Sequence, residues 1–263
     1  MNLNNIGTQL LFTTVPIWVE KNAGSQASGT GFIYTVPVPD KENVTVPFLI
    51  TSLHVVRDAK RGLIEMVERK NQEPNKDKKV RAEIDGASLQ KFMDAENDLA
   101  AIPIAPIINQ FEASNHPVFF RTISPELIPD KEAIEKLGAI EEVTFIGYPS
   151  GIYDEHNAAP LTRRGITASP VWNDFQGKPM FIIDAGVFPG SSGSPVFIYN
   201  QGSFATDQGI TVGTRLLFIG IISETFLRKR TDDSNVFLGL GKVIKSQKLK
   251  EFISAIIKTI DIN

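Results

Sequence analysis

The chain of 263 residues contains no cysteine. That absence removes disulfide scaffolds, thiolate zinc sites, iron–sulfur clusters and cysteine nucleophiles together. Histidine is scarce as well: His54, His116 and His156 are the only three, and no H-E-x-x-H motif occurs, so neither a metal site nor a cofactor is expected. No stretch approaches the 18 or so continuous apolar residues of a membrane-spanning helix. Met1–Gly7 lacks Lys and Arg, and the apolar Leu10-Leu11-Phe12 is soon interrupted by Thr13, Thr14 and Pro16, which does not read as a secretory leader. A cytoplasmic protein without a membrane partner is the expectation. The formal net charge of −3 gives no general attraction to nucleic acid.

What is present is β-rich. At 42% hydrophobic and 22% charged residues the composition is that of a globular chain, and the length suits one large all-β domain or two small ones. Short runs such as Thr30–Val36, Pro47–Ser52, Glu142–Tyr148, Met180–Val187, Ser194–Tyr199 and Arg215–Ser223 are separated by Gly, Pro, Asn and Asp. This pattern points to barrels or sandwiches, not βαβ units. Gln9–Glu20 reads as a further strand, with Pro16 at an edge position. Two segments read as helices: Lys131–Leu137, capped by Asp130, and the C-terminal stretch. In the latter, Leu249, Phe252, Ile253, Ile256, Ile257 and Ile260 recur every three or four residues as one apolar stripe. Arg69–Lys79 and Asp232–Asn235 read as solvated tips or loops, and the basic clusters Lys76–Arg81 and Arg228–Arg230 as solvated surface.

One string carries chemistry: Phe188-Pro189-Gly190-Ser191-Ser192-Gly193-Ser194-Pro195-Val196. Small residues around a serine, just before a β-run, let backbone N–H groups converge beside a hydroxyl; a plain Gly/Ser turn is the competing reading. Chain order then discriminates. Ser194 stands where G-x-S-x-G needs its last glycine, and no histidine follows His156, which excludes the order Ser, acid, His of the α/β-hydrolases. The order His, Asp, Ser is available. His54 follows the strand-like Phe48-Leu49-Ile50-Thr51-Ser52-Leu53, and Asp98 opens the apolar run Leu99-Ala100-Ala101-Ile102.

These motifs resemble the trypsin/chymotrypsin-like serine peptidases, and more closely the cysteine-free, bacterial HtrA-type branch. Thr51-Ser52-Leu53-His54 resembles the family's T-A-A-H, Asn97-Asp98-Leu99-Ala100 its D-[IL]-A strand, and Gly190–Pro195 its G-[DN]-S-G-G-P. Gly29-Thr30-Gly31-Phe32, Gly147-Tyr148-Pro149, Arg164-Gly165-Ile166, Asp184-Ala185, Gly220-Ile221-Ile222-Ser223 and Phe237–Val243 are similar to further landmarks, so the likeness spans nearly the whole chain. The resemblance implies a chymotrypsin-like double β-barrel with a C-terminal α-helix. Residues 1–118 would form the barrel carrying His54 and Asp98, residues 119–245 the barrel carrying Ser192, and residues 246–263 the helix. It implies a serine endopeptidase in which Ser192 is the nucleophile, His54 the general base, Asp98 the group that orients it, and the N–H groups of Gly190 and Ser192 the oxyanion hole. It also implies a protein or peptide substrate added as a strand along Ser223, with the Ser223 hydroxyl bonded to Asp98.

The sequence departs from the family pattern at several positions. Ser191 replaces the aspartate that pairs with a new N-terminus in secreted zymogens, so no activating cleavage is expected; the loop is either formed from synthesis or set by a regulatory protein partner. Ser194 replaces a glycine, and Leu53 an alanine. Gly186, six residues before Ser192, stands at the position that in the family forms the base of the primary specificity pocket; the resemblance thus implies a pocket without an acid there, which removes the usual basis for choosing Arg or Lys. Thr225 would narrow that pocket toward small or medium apolar side chains, whereas Glu224 would attract a basic one. The first is the expected preference. A catalytically silent or partner-gated peptide-binding scaffold of the same fold is the alternative function. Activity is expected to rise with pH as His54 loses its proton, since only neutral imidazole accepts the serine proton.

Overall fold

The computed structural model describes residues 1–38, 44–206, 209–229 and 235–259. Ile260, Arg230 and Asp232–Ser234, named above, lie outside them. The β-branched and aromatic runs form strands, and their nearly continuous apolar character has a physical cause: many of these strands are covered on both faces. β1 (Thr14–Lys21) turns Val15, Ile17 and Val19 into one core, while in β2 (Gln26–Pro37) and β3 (Thr45–Ser52) alternate side chains enter different cores. Ile33 and Leu49 point into one with Val19, Ile64 and Ile102. Phe32, Tyr34, Phe48 and Ile50 point into a second, shared with Phe197, Phe218 and the C-terminal helix.

These three strands belong to an antiparallel sheet with β4 (Ala59–Lys70), β5 (Glu73–Asp85), β6 (Phe92–Asp94), β7 (Leu99–Pro103) and β8 (Val118–Phe119). Its eight strands run in the order β5-β4-β1-β2-β3-β7-β6, with β8 on β4. Ile84 from one end of that path and Ile102 from near the other share one core, so the sheet is curled. The second unit is a closed barrel, β10-β11-β16-β15-β12-β9, built from β9 (Glu142–Gly147), β10 (Leu161–Thr167), β11 (Met180–Asp184), β12 (Pro195–Asn200), β15 (Arg215–Lys229) and β16 (Asn235–Lys245). β13 (Ser203–Thr206) and β14 (Gly209–Val212) form a separate ribbon. Val143, Phe181, Val196 and Ile219 fill the barrel, each fully buried aliphatic or aromatic side chain contributing about 1.5–3 kcal/mol.

The C-terminal helix Ser246–Thr259 sets Leu249, Ile253 and Ile256 against Phe32 and Phe218 at the junction of the two units. The mostly-β architecture with a terminal helix is the expected fold class. Several local readings shift. Ile6–Leu10 is helical and β1 begins only at Thr14; Pro16 is tolerated because pairing with β4 starts at Ile17, leaving its β4 side unpaired. Arg69–Lys79 is the hairpin tip of the two expected alternatives, and most of it is strand: the turn is Asn71-Gln72, both at positive φ (50° and 65°), the combination a tight two-residue hairpin needs. A helix over Ala105–Ala113 was not anticipated; it packs Ile107, Ile108 and Phe111 on the first core. Among the described residues no helix is long and apolar enough to cross a membrane.

Candidate active site

β3 ends at Ser52, and the single helical turn Leu53–Val56 follows it. That turn lifts His54 out of the sheet while Leu53, Val55 and Val56 stay buried. Lys21 ties it down, its Nζ donating to the carbonyls of His54 (2.9 Å) and Arg57 (2.6 Å). Asp98 stands at the mouth of β7, hydrogen-bonded to β3 through Ser52 and Leu99. An Asp94-centred turn delivers it: Asp94 Oδ1 accepts from the N–H groups of Glu96 and Asn97, and Asp98 adopts φ 53°, a left-handed conformation that aspartate tolerates better than most residues.

The two side chains meet directly. His54 Nδ1 lies 2.8 Å from Asp98 Oδ2, and the His54 backbone N–H donates to Oδ1 at 2.9 Å. The Ser223 hydroxyl donates to the same Oδ2 at 2.7 Å. Partial burial by itself pulls the Asp98 carboxyl up; the hydrogen bonds and charge of His54, with Ser223, outweigh it and hold the group below the usual aspartate value. On the other side of the imidazole, Nε2 is 3.0 Å from Ser192 Oγ. Ser192 Oγ also lies 2.8 Å from the Ser223 carbonyl, so its one proton has two acceptors within reach.

The Ser192 loop is held largely from outside itself. Thr30, wholly buried in β2, accepts from the Tyr148 N–H (3.0 Å) and donates from the same hydroxyl to the Gly190 carbonyl (3.0 Å). The Thr30 N–H donates to the Ser192 carbonyl at 2.9 Å. Gly190 and Gly193 take φ 87° and 88°. A Cβ on Gly193 would stand 2.0 Å from the Thr30 carbonyl, and one on Gly190 2.6 Å from that of Tyr148; only glycine fits either place. The Pro189 carbonyl accepts from the Ser150 N–H at 2.5 Å, which turns the Gly190 N–H of the same peptide the opposite way. Among the described residues, the N–H groups of Gly190 and Ser192 have no hydrogen-bond partner.

The remaining residues singled out by sequence are placed as follows. Ser191 is buried with its hydroxyl unpaired among the described residues, as is that of Ser194, for which Gly147 leaves room by lacking a side chain. Glu224 is exposed and ion-paired with Lys242 at 2.6 Å. The Thr225 hydroxyl donates to the Leu240 carbonyl at 3.3 Å. Gly186 abuts the guanidinium of Arg163. Beyond Ile222, the edge of β15 that faces β12 has no partner strand among the described residues. On the far side of the loop a cavity of about 630 Å³ opens between Trp18, Gln26, Ser28, Arg61, Ser150 and Gly151. Sequence reasoning missed Thr30 as a builder of the site; a threonine between two glycines in an apolar strand was its only signal. Among the described residues no group of three or more His, Asp or Glu could hold a metal.

Residues 29–205 match the family model described as trypsin-like peptidase domain. The chain belongs to that family. Among solved structures, this trypsin-like peptidase domain is similar to a variant of the HtrA-type protease AlgW with tripeptide (16% identity, TM-score 0.57) and to AlgW with tripeptide (16%, 0.55), each match covering 98% of this chain and 64% of the other. It is also similar to the serine endoprotease from Yersinia pestis (18% identity, TM-score 0.52, covering 98% and 67%). At such identities the likeness is one of fold, and the chain spans 64% of the length of the AlgW chains. No curated protein matches it.

Proposed function

We propose that the chain is a serine endopeptidase acting through Ser192, His54 and Asp98. The observation that carries this reading is the continuous relay Asp98 Oδ2, His54 Nδ1, His54 Nε2, Ser192 Oγ at 2.8 and 3.0 Å, set beside two unpaired backbone N–H groups. With its proton on Nδ1, donated to Asp98, the imidazole presents a lone pair at Nε2 to the serine hydroxyl. Ser192 Oγ attacks the peptide carbonyl carbon as its proton passes to Nε2. The carbonyl oxygen takes up negative charge facing Gly190 N–H and Ser192 N–H, donors fixed before reaction and so needing no reorganisation. Collapse breaks the C–N bond, the imidazolium gives its proton to the leaving amine, and an acyl-enzyme on Ser192 remains. Water repeats the sequence and releases the acid. Asp98, ionised and low in pKa, holds the tautomer and stabilises the imidazolium.

Substrate backbone would pair with the free β15 edge at Glu224–Thr225, extending the sheet by one strand, while the residues after the scissile bond would lie toward the cavity beside Ser28 and Ser150. The His54/Asp98-bearing residues 1–118, the Ser192-bearing residues 119–245 and the helix 246–263 act as one peptidase unit. The anchoring of the loop by Thr30 and Ser150 within this chain favours a loop formed without zymogen cleavage, and leaves a regulatory partner the task of modulating it rather than building it.

Turnover tests the reading. With an unfolded protein substrate, the wild-type chain is expected to generate new N-termini, and Ser192→Ala to lose about 10⁴–10⁶-fold in rate. Equal cleavage by both would refute the assignment, and peptide binding without any turnover by the wild type would establish the scaffold alternative.

A further inference from the structure

Two consecutive arginines on β10 have opposite surroundings. Arg164 is exposed and ion-paired with Glu142 at 2.5 Å. Arg163 is partly buried, and among the described residues it has neither an ion pair nor a hydrogen bond; its guanidinium carbon lies 4.9 Å from the centroid of the Phe188 ring. One of its nitrogens, Nη2, stands 2.3 Å from where a Cβ on Gly186 would be, with the edge of Phe188 3.2 Å from the same point. A side chain at position 186 would require this guanidinium to move aside. Arg163 therefore fills the place that a side chain at the pocket base, six residues before the nucleophile, would otherwise occupy.

A partly buried guanidinium without an anion gives up hydration and receives no charge partner in return. One face rests on the Phe188 ring, an arrangement favourable to arginine, which leaves the N–H edge as the binding surface. That edge is a planar fork matched to a carboxylate. The nearby acids do not compete: Glu142 is taken by Arg164 and Glu224 by Lys242, and exposed Asp184 makes no ion pair with Arg163 among the described residues. The charge beside Gly186 is thus positive.

We propose that Arg163 makes the primary specificity pocket select an acidic side chain, so that the enzyme cleaves after Glu or Asp. This replaces the apolar preference expected from Gly186 and Thr225, and it rests on the peptidase reading. Gly186 brings no acid to the pocket base, and the cation beside it arrives from a strand more than twenty residues upstream.

The test is a set of fluorogenic peptides identical except at the residue before the scissile bond: Glu, Asp, Gln, Ala, Leu and Lys. The expected result is Glu or Asp first, with Glu over Gln by about 10- to 100-fold in kcat/KM, the range for one hydrogen-bonded charge. Arg163→Gln is expected to abolish the Glu-over-Gln ratio, Arg163→Lys to keep part of it, and Arg163→Glu to favour the Lys peptide. Folding of each variant is checked by thermal melting. A wild type that ranks Ala or Leu first, with the ranking unchanged in Arg163→Gln, overturns the proposal. So does an Arg163→Gln form faster on every peptide, which would make Arg163 a plug. Fluorophosphonate labelling of Ser192 in the same preparations separates the two readings. A labelled enzyme without acidic preference defeats this proposal alone. If Ser192 is unreactive and nothing turns over, the peptidase reading fails, and the affinity of Ser192→Ala for peptides ending in Glu against Gln decides: tighter binding of Glu supports the charge assignment, equal binding overturns it.

Discussion

His54 and Asp98 are neighbours across one ladder of the first sheet, where Ser52 pairs with Leu99 and the Leu53 N–H donates to the Asp98 carbonyl at 2.9 Å. Ser192 stands instead in a loop whose principal anchors come from other elements: Thr30 from the first sheet, Ser150 from the segment after β9, and Ile222 from β15, which accepts the Gly193 N–H at 2.7 Å. The His54–Asp98 pair is a local product of two adjacent strands. The Ser192 loop takes its hydrogen bonds from both the sheet and the barrel. The contrast implies that damage to the first should cost chemistry with little stability, and damage to the second should cost both.

The largest expected effect that breaks the comparison comes from Gly190→Ala. A Cβ there meets the Tyr148 carbonyl at 2.6 Å and the Ser150 nitrogen at 2.7 Å at φ 87°, so the peptide carrying the proposed oxyanion donor must move. A fall of about 10²–10³ in kcat is expected, measured by steady-state hydrolysis, with a lowered melting temperature from the strained loop. Thr30→Val comes next. It removes the hydroxyl that joins the Tyr148 N–H and the Gly190 carbonyl, leaves both buried groups unpaired, and should cost about 1–3 kcal/mol per unsatisfied group in chemical denaturation, together with kcat. Thr30→Ser should restore most of both. Recovery of stability without activity would show that Thr30 is structural only.

The smallest effect sharpens the other side. Asp98 has a folded-state pKa below its ordinary 3.8, so its contribution to stability is complete above that ordinary value and disappears as pH falls through the lower folded one. The stability difference between wild type and Asp98→Asn should therefore shrink as pH falls below 3.8, as read by urea midpoints across a pH series. A difference that kept growing below 3.8 would mean that burial, not the His54 and Ser223 interactions, governs the carboxyl.

The parts legible in the sequence were those written in consecutive residues. The β-runs, the Asp130-capped helix and the apolar stripe of the C-terminal helix follow from periodicity, and the His54, Asp98 and Ser192 contexts from local motif and chain order. What escaped depends on contacts distant in sequence. Thr30 acts on Gly190, 160 positions away, and Arg163 approaches Gly186; apart from the glycines flanking Thr30, neither position differs locally from an ordinary strand residue. The Asn71-Gln72 turn was legible only as a hairpin tip or loop somewhere in Arg69–Lys79, because the residues around it, Glu68-Arg69-Lys70 and Glu73–Lys79, are almost all polar, which erases the alternation that marks a half-buried strand. Pro16 was legible as an edge residue only because pairing on one side begins a residue later.

The most direct measurement of the central claim is intact-mass analysis after treatment with a fluorophosphonate, with the adduct mapped by peptide sequencing. A single adduct on Ser192, absent from Ser192→Ala and strongly slowed in His54→Ala, is the predicted result. An adduct on another residue, or equal labelling of wild type and His54→Ala, would contradict it.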